Sequence, residues 1–476
     1  MNKHIRHVGW VAALMVFALL GNLTYLNVAQ QDTLEASSYN TRAREAEFDI
    51  HRGQILAGDT VIADSVPSTD NSDFTYQRIY TNGPLYAPIT GFYSYIYASS
   101  RVENSYNSYL VGTDSSQWSQ RIIDMMSGRT PEGASVVTTI SPGLQQAAAT
   151  ALQGYSGAIV AMDPHSGAIK ALASTPSFDP NLLASHDLGA EQTAWDQLVN
   201  DPAGPMLDRG TREIHPPGST FKLVVAAAAL EAGYSADTMI DTPETVKLPG
   251  STATISNSTN CGNTQVTLAR ALQLSCNTAF ANLGLKLGTD AIREQAEQFG
   301  FNSETLPDLG GATSGFPKKL TDAELMQSSI GQNSVTASPL QMAMVASSFL
   351  NNGMLADPYI VDEVRAPDLS VIHKHETKTT KAISPATAAT LQQMMISVVT
   401  DGIGGTAKIP GVTVGGKSGT AETVADAPTL AWFVSFALDP DIVVVVFLQK
   451  SDTTPDSLWG SGDAAPLAKQ VLQASR

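Results

Sequence analysis

One apolar run near the amino terminus separates a short leading segment from the rest of the chain. The only polar members of residues 8–28 are Asn22, Thr24 and Asn27. A helix needs about 20 residues to cross the hydrocarbon core of a bilayer. The run therefore predicts a single transmembrane helix over 8–28, so that almost the entire chain must fold outside the membrane.

The charges beside this run predict its orientation. Lys3 and Arg6 precede it, and no Lys or Arg follows until Arg42. The positive-inside rule then places residues 1–7 in the cytoplasm and the remainder outside a cell membrane that the chain spans once. A cleaved secretory signal is the alternative. Such a signal needs small residues before its cleavage point, and the sequence around Val28 fits that pattern poorly.

Composition excludes several classes of function. The chain has 476 residues, of which 28 are basic and 45 acidic, for a net charge of −17. This balance argues against non-specific nucleic-acid binding, which needs clustered Lys and Arg. Its two cysteines, Cys261 and Cys276, are too few for a four-cysteine zinc site or an all-cysteine iron–sulfur cluster. We expect no metal and no cofactor.

The chain beyond the anchor divides into two parts of different character. Residues 31–135 are polar and rich in Tyr, Ser and Asn, which predicts a small module of short strands and loops. Residues 136–476 alternate strand and helix patterns, which predicts an α+β layer fold. Its expected elements are a helix from Pro142, a hairpin over 157–173, a buried helix over 221–230, two strands at 431–438 and 442–448, and a closing helix at 464–474.

The most informative stretch reads Pro216-Pro-Gly-Ser-Thr-Phe-Lys222. Its prolines and glycine are typical of a helix start, so Ser219 and Lys222 share one helical face. A serine hydroxyl is a weak nucleophile unless a base takes its proton, and lysine can be that base only when burial leaves it neutral. The apolar helix that follows provides this burial. A surface serine beside a solvated lysine is the alternative, because chance supplies about one such pair in a chain of this size.

Two further short motifs occur downstream. Ser275-Cys-Asn277 can present a hydroxyl and an amide to a cleft, although such triplets are more often helix caps. In the second motif, Gly419 would allow close approach of a ligand to a strand. Lys417, Ser418 and Thr420 would supply a cation and two hydroxyls for a substrate carboxylate. Alone, this motif is more simply interpreted as an exposed strand end.

Taken together and in this order, the three motifs are the signature of penicillin-binding proteins and serine β-lactamases. The chain resembles class B penicillin-binding proteins, in their short actinobacterial form, over nearly its whole length. The stretches that carry this resemblance are 52–55, 84–91, 103–110, 157–167, 177–181, 217–222, 329–333, 338–342 and 417–422. The resemblance implies a penicillin-binding, β-lactamase-like transpeptidase domain over 136–476, with an antiparallel sheet and helices. It also implies a dimerisation-type pedestal over 31–135.

The resemblance further implies D,D-transpeptidation of peptidoglycan stem peptides through an acyl-enzyme on Ser219, with β-lactams as covalent inhibitors. Lys222 would be the acylation base, Ser275 a proton relay, and Asn277 a contact to the substrate amide and to Lys222. The resemblance assigns catalytic roles to Ser219, Lys222, Ser275, Asn277 and Lys417, and substrate contacts to Ser418, Gly419 and Thr420.

Class B proteins also pair with a polytopic glycosyltransferase of the RodA/FtsW type, so the resemblance implies such a partner beside the membrane and the peptidoglycan. The two cysteines are the chain's only possible intramolecular pair. We hypothesise that Cys261 and Cys276 form a disulfide that pins the Ser275-Cys-Asn277 loop, because the compartment is oxidising. Two buried free thiols are the alternative.

Other functions compete with this assignment. Residues 411–418 match the P-loop pattern formally, but no helix can start cleanly after Ser418. A Ser-His-Asp hydrolase is disfavoured because the chain has no Gly-x-Ser-x-Gly elbow, and His215 is expected to shape a loop. A carboxypeptidase or β-lactamase would pass the acyl group to water instead. A sensor or division scaffold that kept the fold would bind penicillin without catalysis.

Overall fold

The computed structural model describes residues 2–28, 30, 41–70, 72, 74–118, 122, 126–128, 132–262, 264–421, 430–450 and 457–476. Its helices are α1 (Asn2–Val28), α2 (Thr41–Phe48), α3 (Gly83–Thr90), α4 (Arg101–Ser105), α5 (Asn107–Leu110), α6 (Pro142–Ala151), α7 (Leu188–Asn200), α8 (Lys222–Glu231), α9 (Leu268–Gln273), α10 (Asn277–Leu287), α11 (Thr289–Gln298), α12 (Asp322–Ser328), α13 (Pro339–Leu350), α14 (Pro385–Thr400) and α15 (Ala465–Ala474).

The strands are β1 (Ile55–Ala57), β2 (Thr60–Pro67), β3 (Tyr76–Tyr80), β4 (Tyr93–Ser94), β5 (Ala98–Ser99), β6 (Ser135–Thr138), β7 (Ser156–Met162), β8 (Ile169–Thr175), β9 (Met239–Asp241), β10 (Thr245–Lys247), β11 (Thr254–Ser256), β12 (Gln265–Thr267), β13 (Met354–Ala356), β14 (Val361–Arg365), β15 (Val371–Lys374), β16 (Thr379–Lys381), β17 (Val414–Ala421), β18 (Leu430–Ala437) and β19 (Ile442–Gln449). Residues beyond Ala421, including Glu422 of the third motif, lie outside the described residues until Leu430.

Helix α1 has the dimensions of a membrane span. Its segment Arg6–Leu26 contains 21 residues with a mean hydropathy of 1.7, and none of this segment is buried among the described residues. An apolar helix of this length matches the thickness of a bilayer core. The anchor expected from residues 8–28 therefore falls on a continuous helix.

A five-stranded antiparallel sheet forms the centre of the larger part of the molecule. Its strand order is β17-β18-β19-β7-β8, so that β17 is an edge strand. The hairpin predicted over 157–173 is confirmed as β7 and β8, and the two predicted C-terminal strands are confirmed as β18 and β19. This order leaves the free edge of β17 available to a ligand.

Helices cover both faces of this sheet. Along β19 the side chains alternate between two cores, which explains why nearly every position in that strand is apolar. Val443, Val445 and Phe447 belong to the core that contains residues of α8 and α13, whereas Val444, Val446 and Leu448 face α6 and α15. Helix α13 lies directly against β19, β7 and β18, and the predicted buried helix, α8, packs among α9, α10, α11 and α14 in the same core.

A second sheet combines distant parts of the chain. Its order is β15-β14-β6-β1-β2-β3, so that strands from residues 55–80 pair with β6 and, through it, with β14 and β15. The domain boundary predicted between residues 135 and 136 falls inside β6. That boundary remains a prediction, and the sheet shows that the pedestal is stabilised by strands from the C-terminal part.

Four short helices, α2 to α5, lie where the sequence predicts only strands and loops. They contain four to eight residues. Helices this short show too few turns for a 3.6-residue apolar period to be recognised. In α3, Pro84 occupies the first turn, where no intrahelical partner for its missing N–H is needed. Pro88 lies inside the helix, and an internal proline argues against a helix when only the sequence is considered.

Candidate active site

The segment that carries Ser219 is a 3-10 turn, Gly218–Phe221, that leads directly into α8. Gly218 has a φ of 54°, and its N–H donates to the Gly331 carbonyl at 2.9 Å. Only glycine adopts this φ without strain. Ser219 is half-buried, and within the described part of the chain its hydroxyl has no hydrogen-bond partner. The hydroxyl is therefore available to a substrate.

Lys222 follows one turn later and is completely buried among alanine and valine side chains of α8. Its Nζ donates to the Ser275 carbonyl at 2.8 Å and to Asn277 Oδ1 at 2.7 Å, and it lies 3.2 Å from Ser275 Oγ. Burial, and to a lesser degree the charge of Lys417, lowers the pKa of Lys222 well below its usual value. A neutral amine has two N–H groups, which the two shorter bonds occupy, and its lone pair can then accept a proton.

The second motif forms a tight turn before α10. Ser275 has a φ of 57°, an αL conformation that non-glycine residues rarely adopt. Cys276 is the N-cap residue of α10, and it is bonded to Cys261 as a disulfide with the two Cα atoms 6.0 Å apart. Asn277 is anchored from its other end, because its Nδ2 donates to the Ser256 carbonyl at 2.9 Å.

The third motif lies on β17, at the edge of the central sheet. Lys417 is completely buried, and its Nζ donates to Ser275 Oγ and to the Ser418 carbonyl, each at 2.8 Å. Burial lowers the pKa of Lys417 to about 7. The Ser275 hydroxyl thus lies between the amines of Lys222 and Lys417. This contact joins all three motifs into one hydrogen-bonded network.

Gly419 explains how the strand and the helix start approach each other. A Cβ atom at Gly419 would lie 2.7 Å from the Pro217 carbonyl oxygen and 3.2 Å from the Thr220 nitrogen, both inside contact distance. Only glycine therefore allows β17 to pack against the Ser219 turn. The sequence predicted that a ligand would approach Gly419 closely. In the structure, the group that approaches Gly419 is the Ser219 turn.

These groups open onto one cleft of about 850 Å³. The predicted residues that line it are Ser219, Ser275, Asn277, Ser418 and Thr420. Lys222 and Lys417 lie behind them and reach the cleft through Ser275. Peptide-sized substrates fit a cleft of this volume.

Several lining residues have no counterpart in the three motifs. They are Thr254, Ile255, Ser256, Ser258, Thr259, Gln327, Ile330, Gln332, Asn333, Ile403, Trp459 and Ser461. The stretch 329–333 is among those that carry the family resemblance, which gave a signal for Gln332 and Asn333. Ile330 belongs to the same stretch and Gln327 to α12. The remaining residues lie in short elements and turns whose position over the cleft depends on the tertiary fold.

The competing interpretations of the motifs do not fit this geometry. Residues 414–421 form a strand, whereas a P-loop lysine must precede a helix that begins at once. The His215 ring lies 2.8 Å from a carboxylate oxygen of Glu213 and stacks on Phe447. Within the described residues it makes no hydrogen bond to Ser219, so this histidine has no place as a triad base.

The arrangement defines a class of enzyme. An accessible serine hydroxyl begins a helix, a neutral buried amine lies one turn behind it, and a second amine approaches from the neighbouring strand. These are the requirements of an acyl-enzyme mechanism: a nucleophile, a base and a cationic group for an anionic substrate. The site is therefore that of a serine acyltransferase.

Comparison with known proteins gives the family. Residues 157–473 match the penicillin binding protein transpeptidase domain, and residues 52–136 match the penicillin binding protein A dimerisation domain. The chain belongs to the penicillin-binding protein transpeptidase family. The predicted family and fold class are thereby confirmed, as is the predicted enzyme class of serine-type D,D-transpeptidases.

Individual relatives are similar over the full length. The chain is 40% identical to the peptidoglycan D,D-transpeptidase PbpA of Mycolicibacterium smegmatis, covering 100% of this chain and 99% of the relative. It is 38% identical to penicillin-binding protein A of M. tuberculosis in its ceftriaxone acyl-enzyme complex, with a TM-score of 0.86 over 90% of this chain and 99% of that structure. The D,D-transpeptidase domain of an Eggerthella lenta protein is 32% identical, with a TM-score of 0.77 over 90% and 98% of the two chains.

Proposed function

We propose that this chain is a membrane-anchored peptidoglycan D,D-transpeptidase that cross-links stem peptides through a Ser219 acyl-enzyme during cell-wall growth or division. One observation carries the proposal. The Ser275 hydroxyl lies within 3.2 Å of the Lys222 amine and 2.8 Å of the Lys417 amine, beside a cleft that Ser219 lines. This network supplies a base, a proton relay and a cation next to one free nucleophile.

Acylation begins with proton removal from Ser219. Lys222, neutral because burial lowers its pKa, accepts that proton while Ser219 Oγ attacks the carbonyl carbon of the penultimate D-Ala. The negative charge that develops on the carbonyl oxygen is stabilised by backbone N–H groups of Ser219 and Thr420, which typically lower such a barrier by about 3–4 kcal/mol each. The bond to the terminal D-Ala then breaks, and its nitrogen takes the proton through Ser275.

The third motif orients the donor peptide. The hydroxyls of Ser418 and Thr420, which line the cleft, receive the terminal carboxylate of the donor stem, and the positive charge of protonated Lys417 behind them attracts it. Asn277 contacts the donor amide and keeps Lys222 in place through its 2.7 Å hydrogen bond. A β-lactam presents a similar carboxylate beside a reactive carbonyl, so it acylates Ser219 in the same way and blocks it.

Transfer completes the reaction. An amine on a neighbouring stem peptide attacks the ester carbonyl of the acyl-enzyme and loses a proton to the lysine base. The ester bond to Ser219 Oγ then breaks, and the lysine returns that proton to Oγ, which regenerates the serine hydroxyl. The product is a new peptide bond between two stems. Water can replace that amine, which would make the enzyme a carboxypeptidase, so the ratio of amine transfer to hydrolysis is the quantity to be measured.

The test is a reaction of the purified protein with a pentapeptide stem donor and a stem acceptor that carries a free amine, followed by mass spectrometry. The expected products are free D-Ala and a cross-linked dimer in comparable amounts. The Ser219→Ala variant should give neither. Release of D-Ala without any dimer would indicate a hydrolase, and absence of both in the unaltered protein would contradict the proposal.

The proposal includes a location and a partner. Residues 1–7 lie in the cytoplasm, α1 crosses the cell membrane, and the domain that carries Ser219 lies outside. In this topology α1 is free to contact a polytopic glycosyltransferase of the RodA/FtsW type, which would deliver new glycan strands. The charge distribution around α1 and its unburied surface support this arrangement. Protease digestion of intact spheroplasts should remove the folded domain, and photo-crosslinking from α1 should capture such a partner.

A further inference from the structure

A small hairpin, β10 and β11, forms one wall of the cleft, and its hydrogen-bonding pattern leaves one edge free. The Leu248 N–H donates to the Ala253 carbonyl at 3.0 Å, and the Asn257 N–H donates to the Glu244 carbonyl at 3.4 Å. In an antiparallel pair, hydrogen-bonded and non-hydrogen-bonded pairs alternate. The pairs 245 with 256 and 247 with 254 are therefore the non-hydrogen-bonded ones. The peptide N–H and C=O groups of Thr254 and Ser256 consequently point away from β10.

The free edge of β11 faces the catalytic residues. The Ser256 carbonyl accepts the hydrogen bond from Asn277, which shows the direction of this edge. Thr254 and Ser256 line the same cleft as Ser219. The Thr254 N–H makes no hydrogen bond to any described residue outside the hairpin. It is thus an open donor in the cleft that Ser219 lines.

The hairpin is firmly held and carries no charge on this edge. The Ile255 side chain is buried in a cluster with Leu248, Ala281 and Met326, which ties β11 to α10 and α12. The three residues of β11 are Thr, Ile and Ser. A neutral strand edge recognises the backbone of an extended peptide, not a carboxylate or a cation.

The cleft therefore lies between two strand edges. On one side is β17, whose Lys417 contacts Ser275, and on the other is β11, whose Ser256 contacts Asn277. A donor peptide whose terminal carboxylate is held by the hydroxyls of Ser418 and Thr420 lies along β17. Cross-linking needs a second peptide in the same cleft, and β11 is the remaining strand edge that described residues present to it.

We propose that the free edge of β11 is the acceptor subsite: the extended stem peptide that carries the attacking amine pairs its backbone with Thr254. The inference rests on the proposed transpeptidase function and adds the place of the second substrate. Backbone pairing orients the acceptor so that its amine reaches the ester on Ser219. It also keeps water from that side of the acyl-enzyme, which favours transfer over hydrolysis.

The test compares two proline substitutions. Thr254→Pro removes the free N–H at the edge that faces the cleft, and no hydrogen bond of the hairpin is lost. Thr245→Pro makes the same change on the outer edge of β10 and is the matched control. We expect Thr254→Pro to lower the ratio of amine transfer to hydrolysis by about 3- to 10-fold, as for one lost hydrogen bond, with acylation by a fluorescent penicillin unchanged. Thr245→Pro should leave both quantities unchanged.

Two results would overturn the assignment. An unchanged ratio of transfer to hydrolysis in Thr254→Pro would show that the edge does not bind the acceptor. If acylation of Thr254→Pro by a donor stem peptide falls by the same factor as the ratio of transfer to hydrolysis, the edge binds the donor and not the acceptor. A wild-type protein that forms no cross-link at all would instead contradict the proposed function.

A second measurement needs no variant. Acceptor peptides methylated singly at each backbone amide are offered to the unaltered protein. The proposal expects one methylation to reduce transfer by a similar factor, because an N-methyl group prevents pairing with a strand edge. Equal transfer to every methylated acceptor would contradict it.

Discussion

At the scale of single residues, the site depends on two buried lysines that share one hydroxyl. The amines of Lys222 and Lys417 lie 3.2 Å and 2.8 Å from Ser275 Oγ, and both side chains are completely buried. Two ammonium groups that are this close and are buried away from water repel each other strongly, so one of them must lose its proton. Burial and the charge of Lys417 both lower the pKa of Lys222, so we assign the neutral form to Lys222, one turn after Ser219.

This pair predicts how substrate binding depends on pH. The pKa of Lys417 is about 7, so its positive charge is present below that pH and is lost above it. We expect the KM of a donor with a free terminal carboxylate to rise above pH 7, by at most about tenfold per pH unit. The measurement is steady-state kinetics from pH 6 to pH 9. A donor that ends in an amide is the control and should show no such rise. A KM that is constant for the free acid over this range would contradict the role given to Lys417.

At the scale of elements, the geometry depends on one close approach, that of β17 to the 3-10 turn. Gly419 has no Cβ atom that would separate β17 from this turn. The turn is also held by the hydrogen bond from the Gly218 N–H to the Gly331 carbonyl. The turn is therefore held between β17 and the 329–333 segment. A small displacement of either neighbour would move Ser219 relative to Thr420.

Gly419→Ala tests this packing. Its Cβ would lie 2.7 Å from the Pro217 carbonyl oxygen, so β17 must move away from the turn. We expect acylation by a fluorescent penicillin to slow by about 10-fold or more, since misplacement by about 1 Å can cost 100-fold in rate. Gly143→Ala is the control, because no atom lies within 4 Å of its Cβ position. Equal acylation rates in the two variants would show that the approach is not needed.

The disulfide gives a second prediction at this scale. Cys261 and Cys276 are 15 residues apart, and a cross-link that closes a loop of this length contributes about 3 kcal/mol in the chain-entropy model. The Cys261→Ala/Cys276→Ala protein should lose about that much free energy of unfolding in urea. Alkylation of the unaltered protein before reduction should label no thiol. Two labelled thiols would end the hypothesis that Cys276 pins the second motif.

Many of the helices and strands, and the meeting of the three motifs, could be predicted from the sequence. Strands with long apolar runs, such as β18 and β19, and the buried helix α8 were predictable because both faces of each are apolar. The three motifs indicated which side chains meet, since each pairing has a chemical reason. The hairpin of β10 and β11 was not predictable. Its strands of three residues carry no period, and their place beside Asn277 depends on tertiary packing.

At the scale of the whole molecule, the pedestal reaches the segment that leads to the nucleophile. Arg101 at the start of α4 forms a buried ion pair of 3.3 Å with Asp208. Asp208 also accepts hydrogen bonds from the Gly210 and Thr211 N–H groups, a few residues before Ser219. The contact joins the two parts of the chain at residues 208–211, which precede the Ser219 turn in the sequence.

Arg101→Gln should destabilise the protein strongly. It leaves the Asp208 carboxylate buried without its cation, which typically costs about 3–5 kcal/mol. Arg293→Gln is the control, since Arg293 pairs with the exposed Asp290 on α11 and should cost less than about 1 kcal/mol. Urea unfolding measures both. Similar losses in the two variants would show that the contact between pedestal and catalytic part contributes little.

The most direct measurement is the identity of the residue that penicillin modifies. The full-length protein in detergent is labelled with a fluorescent penicillin, digested and mapped by mass spectrometry. We expect a single adduct on Ser219, and no labelling of Ser219→Ala. An adduct on any other residue, or labelling that persists in that variant, would contradict it.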